Sequence, residues 1–367
     1  MTTIAVIGLG TMGLGIAQTY AAAGFSVLAT DAVVAARDSA LTRLRDTLAP
    51  RVAAGKLSEA DLGALIARIT VVSGPEAMAA ADLTIEAVVE KIEVKRALFA
   101  ALEAVVAPDA VLATNTSSLS VAAMTEGLAH PERMLGLHFF NPAPVMKLVE
   151  LVAQPATSEA ALARARRLTE TAGKTVIACP DRPGFIVNRC ARPFYGEALA
   201  MLEEGRSASE IDAAMLAAGY RLGPFALIDL IGADINLAAT EGLAAAMGNH
   251  PRYHVFEALR RQVASGDLGR KTGRGFLHPD RPGPAPADAG AITARIEAAL
   301  VNEAAWLLSE GGTTREGIDT ALKLGLNFPR GPFEVGGTPR ATLAALAAAA
   351  PPHLRGRYDP APGLESL

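Results

Sequence analysis

The chain has 367 residues, half of them hydrophobic, which is enough for two or three domains with apolar cores. Its formal net charge is −4 and its pI is about 5.9, which argues against a nucleic-acid or anionic-membrane surface. Its two cysteines argue against a secreted disulfide framework, and neither has metal-ligand neighbours, so no metal site is predicted. No signal peptide precedes the first strand and no apolar run reaches about 18 residues, so we expect a cytoplasmic protein.

The amino-terminal thirty-one residues follow the order of a dinucleotide-binding unit. An apolar run at 3–9 has strand character, and a G-x-G-x-x-G motif begins in it at Gly8. A helical stretch at 16–23 and a second apolar strand at 25–30 follow, and that strand ends at Asp31. This order of strand, turn, helix, strand and acid favours a dinucleotide site over the alternative, an ordinary glycine turn.

Each glycine of the motif has an expected task. Gly8 permits the sharp turn, Gly10 lets the backbone approach a pyrophosphate, and Gly13 lets helix and strand pack closely. The helix start offers unpaired N–H groups to the phosphates. Asp31 lies 18 residues after Gly13, where a carboxylate takes the adenosine ribose hydroxyl groups and repels a 2′-phosphate. We therefore expect NAD rather than NADP.

Residues 1–182 alternate short apolar strands with amphipathic helices. This pattern predicts an α/β fold with a largely parallel, doubly wound sheet of the Rossmann type and helices on both faces. Residues 36–67 predict a helical hairpin that breaks near Gly55. The predicted strands are 4–8, 25–30, 69–73, 82–88, 110–114, 134–140, 147–152 and 174–178.

Helical patterns dominate from Pro183 onward, which predicts an all-α carboxy-terminal domain. This part contains an internal repeat, because three short motifs recur at offsets of 106 to 108 residues: Glu197-Ala-Leu, Ile211-Asp212 and Gly223-Pro-Phe return as Glu303-Ala-Ala, Ile318-Asp319 and Gly331-Pro-Phe. The predicted domains are a dinucleotide-binding domain at 1–182, a helical domain at 183–278, a linker at 279–290, a second, shortened helical repeat at 291–345 and a loose Pro-rich tail at 351–367.

Polar residues concentrate in apolar surroundings at 114–150. His138 lies within an apolar strand, and Glu150 lies on the next predicted strand, after a turn at 141–146. Antiparallel pairing about that turn places residue 138 opposite residue 150, so that imidazole and carboxylate become neighbours. Such a carboxylate fixes the tautomer of the ring, as a proton-transfer catalyst requires. A structural ion pair is the alternative interpretation.

Ser117 and Ser118 follow the strand that ends near Thr114. Carboxyl ends of parallel strands are where such sheets bind ligands, so these hydroxyl groups are candidates for substrate hydrogen bonds. The alternative is that they cap the helix after Ser120. Asn188 lies at the junction of the two predicted regions, and clefts between domains are common ligand sites.

Together these segments resemble the L-3-hydroxyacyl-CoA dehydrogenase family, in family order from residue 4 to about 277. Two segments are highly specific in combination, His-Phe-Phe-Asn-Pro at 138–142 and Pro-Gly-Phe-Ile-Val-Asn-Arg at 183–189. The duplicated helical unit resembles longer members that carry two such modules. The other matching segments are 8–17, 85–90, 114–119, 143–150 and 269–276.

The resemblance implies reversible hydride transfer between C3 of a (3S)-3-hydroxyacyl-CoA and NAD. It implies that His138 is the base that takes the C3 hydroxyl proton and that Glu150 orients it. It further implies that Ser117 and Asn188 hold the reacting oxygen, with Asn141 close to the site. The implied NAD-binding positions are Gly8, Gly10, Thr11, Met12, Gly13, Asp31, Glu90, Lys95, Asn115 and Lys271.

The expected CoA contacts depart from the family pattern. Some relatives contact CoA through a serine and a lysine in the helical hairpin, and ungapped counting places Thr47 and Ala54 there. Thr47 keeps a hydroxyl group, but Ala54 supplies no charge. We expect Arg51 or Lys56 to replace the missing lysine.

Two other functions stay open from the sequence. One is a related NAD-dependent dehydrogenase of a free hydroxy or sugar acid, which needs a carboxylate-binding arginine in place of a CoA tract. The other is a cofactor-binding protein that has lost its activity. The complete set of His138, Glu150, Ser117 and Asn188 argues against the second.

The helical repeat also carries an expectation about assembly. Family members with one helical module generally pair through it as homodimers. We expect residues 291–340 to pack against 184–275 in a pseudo-twofold arrangement, with Trp306, Leu307 and Leu308 in or near the contact. This hypothesis makes the chain a monomer with a cis pseudo-dimer. The alternative is a separate cap that leaves the surface free for a homodimer.

Overall fold

The computed structural model describes residues 2–364, and the chain divides between Arg182 and Pro183 into two compact units. We call residues 2–182 the sheet unit and residues 183–364 the helical unit. None of the helices in the described chain is long and apolar enough to cross a membrane.

The sheet unit contains all eight strands that the sequence predicts. They are β1 (Thr3–Ile7), β2 (Ser26–Thr30), β3 (Ile69–Val71), β4 (Leu83–Glu86), β5 (Val111–Thr114), β6 (Met134–Phe139), β7 (Leu148–Ala153) and β8 (Thr175–Pro180). They form one sheet in the order β3-β2-β1-β4-β5-β6-β7-β8, and only β6 and β7 run antiparallel to each other. The doubly wound class is therefore confirmed. The strand order reverses between β1 and β4, where a crevice for ligands opens at the carboxyl ends of such sheets.

Six α-helices cover this sheet. They are α1 (Thr11–Ala22), α2 (Val34–Ala53), α3 (Glu59–Ala67), α4 (Ile92–Glu103), α5 (Val121–Met124) and α6 (Glu159–Thr171). The predicted helical hairpin is confirmed as α2 and α3, and the chain turns between them at Gly55 with φ +68°. Apolar side chains of β1, β2 and β4 pack against α1, α2 and α3 in one core.

Helix α1 begins five residues before the predicted start at residue 16. The predicted start lies beyond Gly10, Gly13 and Gly15, and glycine generally disfavours helix interiors. Gly13 is nevertheless helical. Larger residues do not fit at this position, because a Cβ atom would lie only 1.7 Å from the carbonyl oxygen of Gly8. The close approach of α1 to the end of β1 therefore outweighs the helix propensity of glycine.

The helical unit contains nine α-helices and no named strand within residues 183–364. They are α7 (Val187–Cys190), α8 (Arg192–Glu203), α9 (Ala208–Ala217), α10 (Pro224–Ile231), α11 (Ala233–Ala246), α12 (Glu257–Ala264), α13 (Ala289–Ser309), α14 (Arg315–Leu326) and α15 (Pro339–Ala349). The segment predicted as a linker is irregular up to residue 288, and its last two residues already belong to α13.

The internal repeat is visible in equivalent local contacts. Asp212 accepts hydrogen bonds from the backbone N–H groups of Phe225 at 2.9 Å and Ala226 at 2.8 Å. In the second copy, Asp319 accepts one from the N–H group of Phe333 at 2.9 Å. Each aspartate thus caps the Gly-Pro-Phe turn of its own copy.

The two copies bind each other through reciprocal ion pairs. Arg189 of the first copy donates from Nε to Glu303 at 2.7 Å, and its other nitrogens bond both oxygens of Glu310 at 2.8 and 2.6 Å. The residue 106 positions later makes the mirror contacts. Arg295 donates from Nε to Glu197 at 2.8 Å and bonds both oxygens of Glu204 at 2.6 and 2.8 Å.

Helix packing follows the same relation. Helix α13 packs against α8 and α9, and α14 packs against α7. Leu307 is completely buried, while Trp306 and Leu308 are partly buried. The predicted packing of the second copy against the first is therefore confirmed, and its ion pairs are related by a pseudo-twofold exchange of the copies.

The predicted loose tail is wrong for the residues that the structure describes, 351–364. Arg357 is buried and donates from Nε to Glu197 at 2.8 Å, and the Tyr358 hydroxyl donates to the same carboxylate at 3.0 Å. Proline-rich composition predicts the lack of a regular helix, but it does not exclude side-chain packing. Residues 365–367 of the predicted tail lie outside the described residues.

The tail completes the second copy of the repeat. Arg252 and Tyr253 of the first copy bond Glu303 at 3.2 and 2.5 Å, as Arg357 and Tyr358 bond Glu197. Burial by itself raises the pKa of Glu197, but the charges of Arg357 and Arg295 outweigh it and hold that pKa below its usual range. The tail therefore supplies charge that a fully buried carboxylate requires.

Arg357→Ala should lower the free energy of unfolding by about 3 kcal/mol, because it removes one partner of a buried ion pair. Arg355→Ala is the matched control, since this side chain is exposed on the same segment, and we expect a change within about 0.5 kcal/mol. Urea unfolding followed by far-ultraviolet circular dichroism measures both. Equal effects of the two substitutions would contradict a structural role of the tail.

Candidate active site

The glycine motif forms a tight loop between β1 and α1. Gly8 has φ +98°, and a Cβ atom there would lie 2.4 Å from the carbonyl oxygen of Ala87. Gly10 differs, because no atom lies within 4 Å of the position that its Cβ would take. The loop is thus packed against β1 and β4 on one side and open at Gly10. Its glycines have the roles that the sequence predicts for the turn and the close packing.

Asp31 ties the end of β2 to this loop. Its carboxylate accepts hydrogen bonds from the backbone N–H groups of Leu9 at 2.6 Å and Val33 at 2.8 Å. Arg43 donates to the carbonyl oxygen of Leu9 at 3.0 Å, and Arg37 donates to the carbonyl oxygen of Asp31 at 2.5 Å. Asp31 is partly exposed, so its carboxylate lies beside the open side of the loop.

A buried charged cluster lies at the carboxyl ends of β4 and β5. Lys95, from α4, is 1% exposed and contacts Glu86 at 2.6 Å and Glu90 at 3.1 Å. Thr114 donates its hydroxyl hydrogen to Glu86 at 2.7 Å. Lys95 therefore holds two carboxylates in place, so its charge is already used within the protein.

Glu90 connects this cluster to the loop after β5. It accepts hydrogen bonds from the Ser117 N–H group and the Ser118 hydroxyl group, both at 3.2 Å, and from the Thr116 hydroxyl group. Burial by itself raises the pKa of Glu90, but the Thr116 hydrogen bond and the Lys95 charge outweigh it and lower that pKa. An ionised Glu90 thus fixes the loop that carries Ser117.

Ser117 and Ser118 do not cap the helix that follows them. Ser120 is the N-cap of α5, and its hydroxyl group accepts a hydrogen bond from the Ala123 N–H group at 3.2 Å. Ser117 and Ser118 lie before that cap, on an exposed loop.

His138 and Glu150 form a buried pair. They are direct partners in the antiparallel register of β6 and β7, which confirms the predicted pairing. The His138 Nδ1 atom lies 2.6 Å from Glu150 Oε2, and the two residues are 6% and 0% exposed. The Phe140 ring packs beside the imidazole, with centroids 4.5 Å apart. The pair lies at the edge of the sheet where β4 and β5 also end.

Asn115 links the strands around this pair. Its side-chain oxygen accepts a hydrogen bond from the Phe139 N–H group at 2.8 Å, and its own N–H group donates to the Glu86 carbonyl oxygen at 2.8 Å. The side chain thereby joins the end of β5 to the strand that carries His138. Three more of the predicted residues lie at this edge. Helix α1 begins with Thr11 and Met12, and the exposed Asn141 follows β6.

The other predicted site residues lie elsewhere. Thr47 and Lys56 are exposed on the α2–α3 hairpin, and the Thr47 hydroxyl group donates to the Arg43 carbonyl oxygen at 2.8 Å. Asn188 and Lys271 belong to the helical unit. Asn188 lies on α7, and Lys271 forms an exposed ion pair with Asp234 at 2.5 Å.

Sequence reasoning missed the part played by Glu86, Thr116 and Arg43. The signal for Glu86 was present, because a carboxylate in an otherwise apolar strand requires a buried cation, and Lys95 follows within the next helix. No local pattern marks Arg43, since its contact with Leu9 depends on how α2 lies over the loop.

The residues present fit a dinucleotide. The space at Gly10 admits a pyrophosphate to the backbone, and α1 begins there with no side-chain cap on its N–H groups. The Asp31 carboxylate stands at the end of β2, where it can accept ribose hydroxyl hydrogens.

The chain matches two models of one family. Residues 3–182 match the 3-hydroxyacyl-CoA dehydrogenase NAD-binding domain, and residues 184–278 and 290–348 match the 3-hydroxyacyl-CoA dehydrogenase C-terminal domain. A similar relative is the 3-hydroxyadipyl-CoA dehydrogenase of Escherichia coli K12, with 46% identity over 74% of this chain and 58% of that protein. The probable 3-hydroxybutyryl-CoA dehydrogenase of Bacillus subtilis 168 is 40% identical over 74% of this chain and 96% of its own length.

Solved structures show the same similarity. The crystal structure of 3-hydroxybutyryl-CoA dehydrogenase from Escherichia coli K12 superimposes with a TM-score of 0.90 at 33% identity, covering 100% of this chain and 98% of that chain. The (S)-3-hydroxybutyryl-CoA dehydrogenase from Ralstonia eutropha has a TM-score of 0.72 at 37% identity, covering 75% of this chain and 98% of that chain.

Asp31→Asn should weaken NAD binding by about tenfold to a hundredfold, as expected when a hydrogen bond to a charged group is lost. It should also reduce the preference for NAD over NADP, because the negative charge that repels a 2′-phosphate is gone. The side-chain oxygen of the asparagine can still accept the hydrogen bond from the Leu9 N–H group. Asp38→Asn removes the same charge from an exposed position on α2 and serves as control. Fluorescence titration with both reduced cofactors measures the affinities. If the ratio of NAD to NADP affinity were the same in wild type and in Asp31→Asn, Asp31 would not determine the cofactor preference.

Proposed function

Because this chain belongs to the 3-hydroxyacyl-CoA dehydrogenase family, we propose that it oxidises a (3S)-3-hydroxyacyl-CoA reversibly to the 3-oxoacyl-CoA. When bound, NAD would supply the hydride acceptor for this reaction. The observation that carries the proposal is the buried contact of 2.6 Å between His138 and Glu150 at the ligand-binding edge of the sheet. The residues of the chain then have to bind the substrate, orient it and move one proton.

His138 is the proton acceptor in this proposal. Its Nδ1 atom donates to the Glu150 carboxylate, so Nε2 is the atom that takes the C3 hydroxyl proton as the hydride leaves C3. The carboxylate fixes this tautomer and stabilises the imidazolium that forms. The β6–β7 ladder holds both side chains in register, so little reorganisation is required.

Ser117 and Asn188 are proposed to hold the reacting oxygen. The Ser117 loop is held by the ionised Glu90, and Glu90 is held by Lys95. Removal of that lysine would therefore disturb the substrate loop as well as the cofactor side. Asn115 holds the end of β6, which carries His138.

The cofactor and CoA contacts complete the proposal. In this proposal the glycine loop contacts the pyrophosphate and Asp31 contacts the adenosine ribose, and Glu90, Asn115 and Lys271 are further NAD contacts. Lys95, expected from the sequence to contact NAD, is instead buried and positions Glu90. Thr47 and either Arg51 or Lys56 contact CoA on the α2–α3 hairpin. All three of these side chains are exposed and therefore accessible to a phosphate-bearing ligand.

We also place this activity in the cytoplasm. The support is the composition, together with two cysteines, Cys179 and Cys190, that are buried as free thiols.

His138→Gln should lower kcat for acetoacetyl-CoA reduction by about 10²–10⁴-fold, the usual contribution of a general acid–base group. NADH affinity should change little, because the glycine loop is untouched. Glu150→Gln should also lower kcat, since a neutral amide no longer stabilises the imidazolium. His130→Gln is the matched control, because His130 is exposed and lies before the first residue of β6, where its ring contacts the exposed Glu132. NADH absorbance follows the reaction.

Three results would contradict this assignment. Nearly wild-type turnover by His138→Gln would show that His138 is not the base. Wild-type turnover of free hydroxy acids in place of acyl-CoA would change the substrate class. NAD binding without turnover of either would leave a cofactor-binding protein without activity.

We further propose that the second helical copy replaces a partner subunit, so that the chain is a monomer. The support is the reciprocal pairing of Arg189 with Glu303 and of Arg295 with Glu197 within one chain. Such isologous contacts are typical of a twofold dimer interface.

Truncation after Asp280 should remove both glutamates that pair with Arg189 and expose the apolar faces of α8 and α9. The shortened protein should then dimerise or aggregate, while the full chain stays monomeric. Multi-angle light scattering of both forms at matched concentrations decides this. One shared oligomeric state with equal solubility would contradict the cis-partner proposal.

A further inference from the structure

The second copy has lost the polar residue that the first copy presents on α7. The segment Pro-Gly-Phe-Ile-Val-Asn-Arg at 183–189 corresponds to Ala-Gly-Ala-Ile-Thr-Ala-Arg at 289–295, with an offset of 106 residues. Asn188 is therefore replaced by Ala294, while Arg189 is retained as Arg295. The ion-pair function has been kept in both copies, and the proposed oxygen-holding function has been kept only in the first.

The second copy carries a groove at the position of the lost residue. This groove has a volume of about 410 Å³ and is lined by small side chains from the start of α13, the end of α9 and the start of α15. Ala217, the last residue of α9, and Ala218 just after it line the groove together with Thr293 and Ala294. The Thr293 hydroxyl group donates a long hydrogen bond of 3.4 Å to the Ala214 carbonyl oxygen, so the two helices are in contact here.

The pseudo-twofold relation assigns an equivalent groove to the first copy. There α14 takes the place of α9 and α7 takes the place of the start of α13, and these two helices pack together. The motif Ile318-Asp319 aligns with Ile211-Asp212, so Leu324 is the counterpart of Ala217. Leu324 is partly exposed, as a residue that lines a groove must be.

We propose that Leu324, supplied by the second copy, lines the acyl-chain side of the substrate site next to Asn188 and limits the length of the acyl chain. This inference rests on the proposed function, in which Asn188 holds the oxygen on C3. The acyl chain beyond C3 is bonded to C3 itself, so a side chain beside Asn188 lies in its path. Beside Ala294, where α9 of the first copy supplies Ala217, there is a groove of about 410 Å³. Beside Asn188 the equivalent residue is Leu324, whose larger side chain takes up more of the equivalent space.

The matched positions allow a sharp test. We would measure kcat/KM with NADH for acetoacetyl-CoA and for 3-oxooctanoyl-CoA, in wild type, Leu324→Ala, Leu324→Phe and Ala217→Phe. Leu324→Ala should raise the ratio of the eight-carbon to the four-carbon substrate by about tenfold, and Leu324→Phe should lower it by a similar factor, since pocket contacts discriminate at this scale. Ala217→Phe fills the equivalent groove away from Asn188 and should leave the ratio unchanged.

The outcomes separate this inference from the proposed function. Turnover of acetoacetyl-CoA with an unchanged ratio in both Leu324 variants would overturn the role of Leu324 alone. The same holds if Ala217→Phe shifts the ratio as much as Leu324→Phe does. Absence of acyl-CoA turnover in wild type would overturn the proposed function, and this inference with it. Unchanged melting temperature and NADH affinity show that each variant is folded and that the sheet unit is intact.

Discussion

A carboxylate removed from water has to be paired, and in the helical unit this requirement falls on Glu197 and Glu303. Each lies inside its own copy of the repeat, and each receives an arginine from the other copy and an Arg-Tyr pair. Removal of either copy would leave a buried charge without compensation, at a cost of about 3–5 kcal/mol. The two copies therefore fold as one unit, and the position of α7, which carries Asn188, follows from that pairing.

Buried carboxylates are also paired in the sheet unit, at the carboxyl ends of its strands. Lys95 neutralises Glu86 and Glu90, and Glu90 in turn binds the backbone of the Ser117 loop. Asn115 then joins this loop to the strand of His138. His138 is thus held by the β6–β7 ladder and by Asn115, and the loop that carries Ser117 is held by Glu90.

Equivalent positions in the two helical copies differ in what they contribute. Both copies keep the arginine that binds the other copy, because loss of it would unpair a glutamate. Only the first copy keeps the asparagine next to that arginine. The arginine that pairs the two copies is therefore required in both, whereas an asparagine at the preceding position is not required for the pairing.

Much of the fold and part of the site could be predicted from the sequence by itself. The alternation of strands and helices, the glycine turn with Asp31, and the register that joins His138 to Glu150 all depend on residues close together in the chain, where spacing dictates geometry. The start of α1 and the packing of the tail could not be predicted in this way. Position 13 admits only glycine inside α1 because a Cβ atom there would collide with the Gly8 carbonyl oxygen, and Arg357 is buried because Glu197, 160 residues earlier, requires a cation. Only the tertiary structure decides such contacts, because they depend on the path of the chain between distant segments and not on any local pattern.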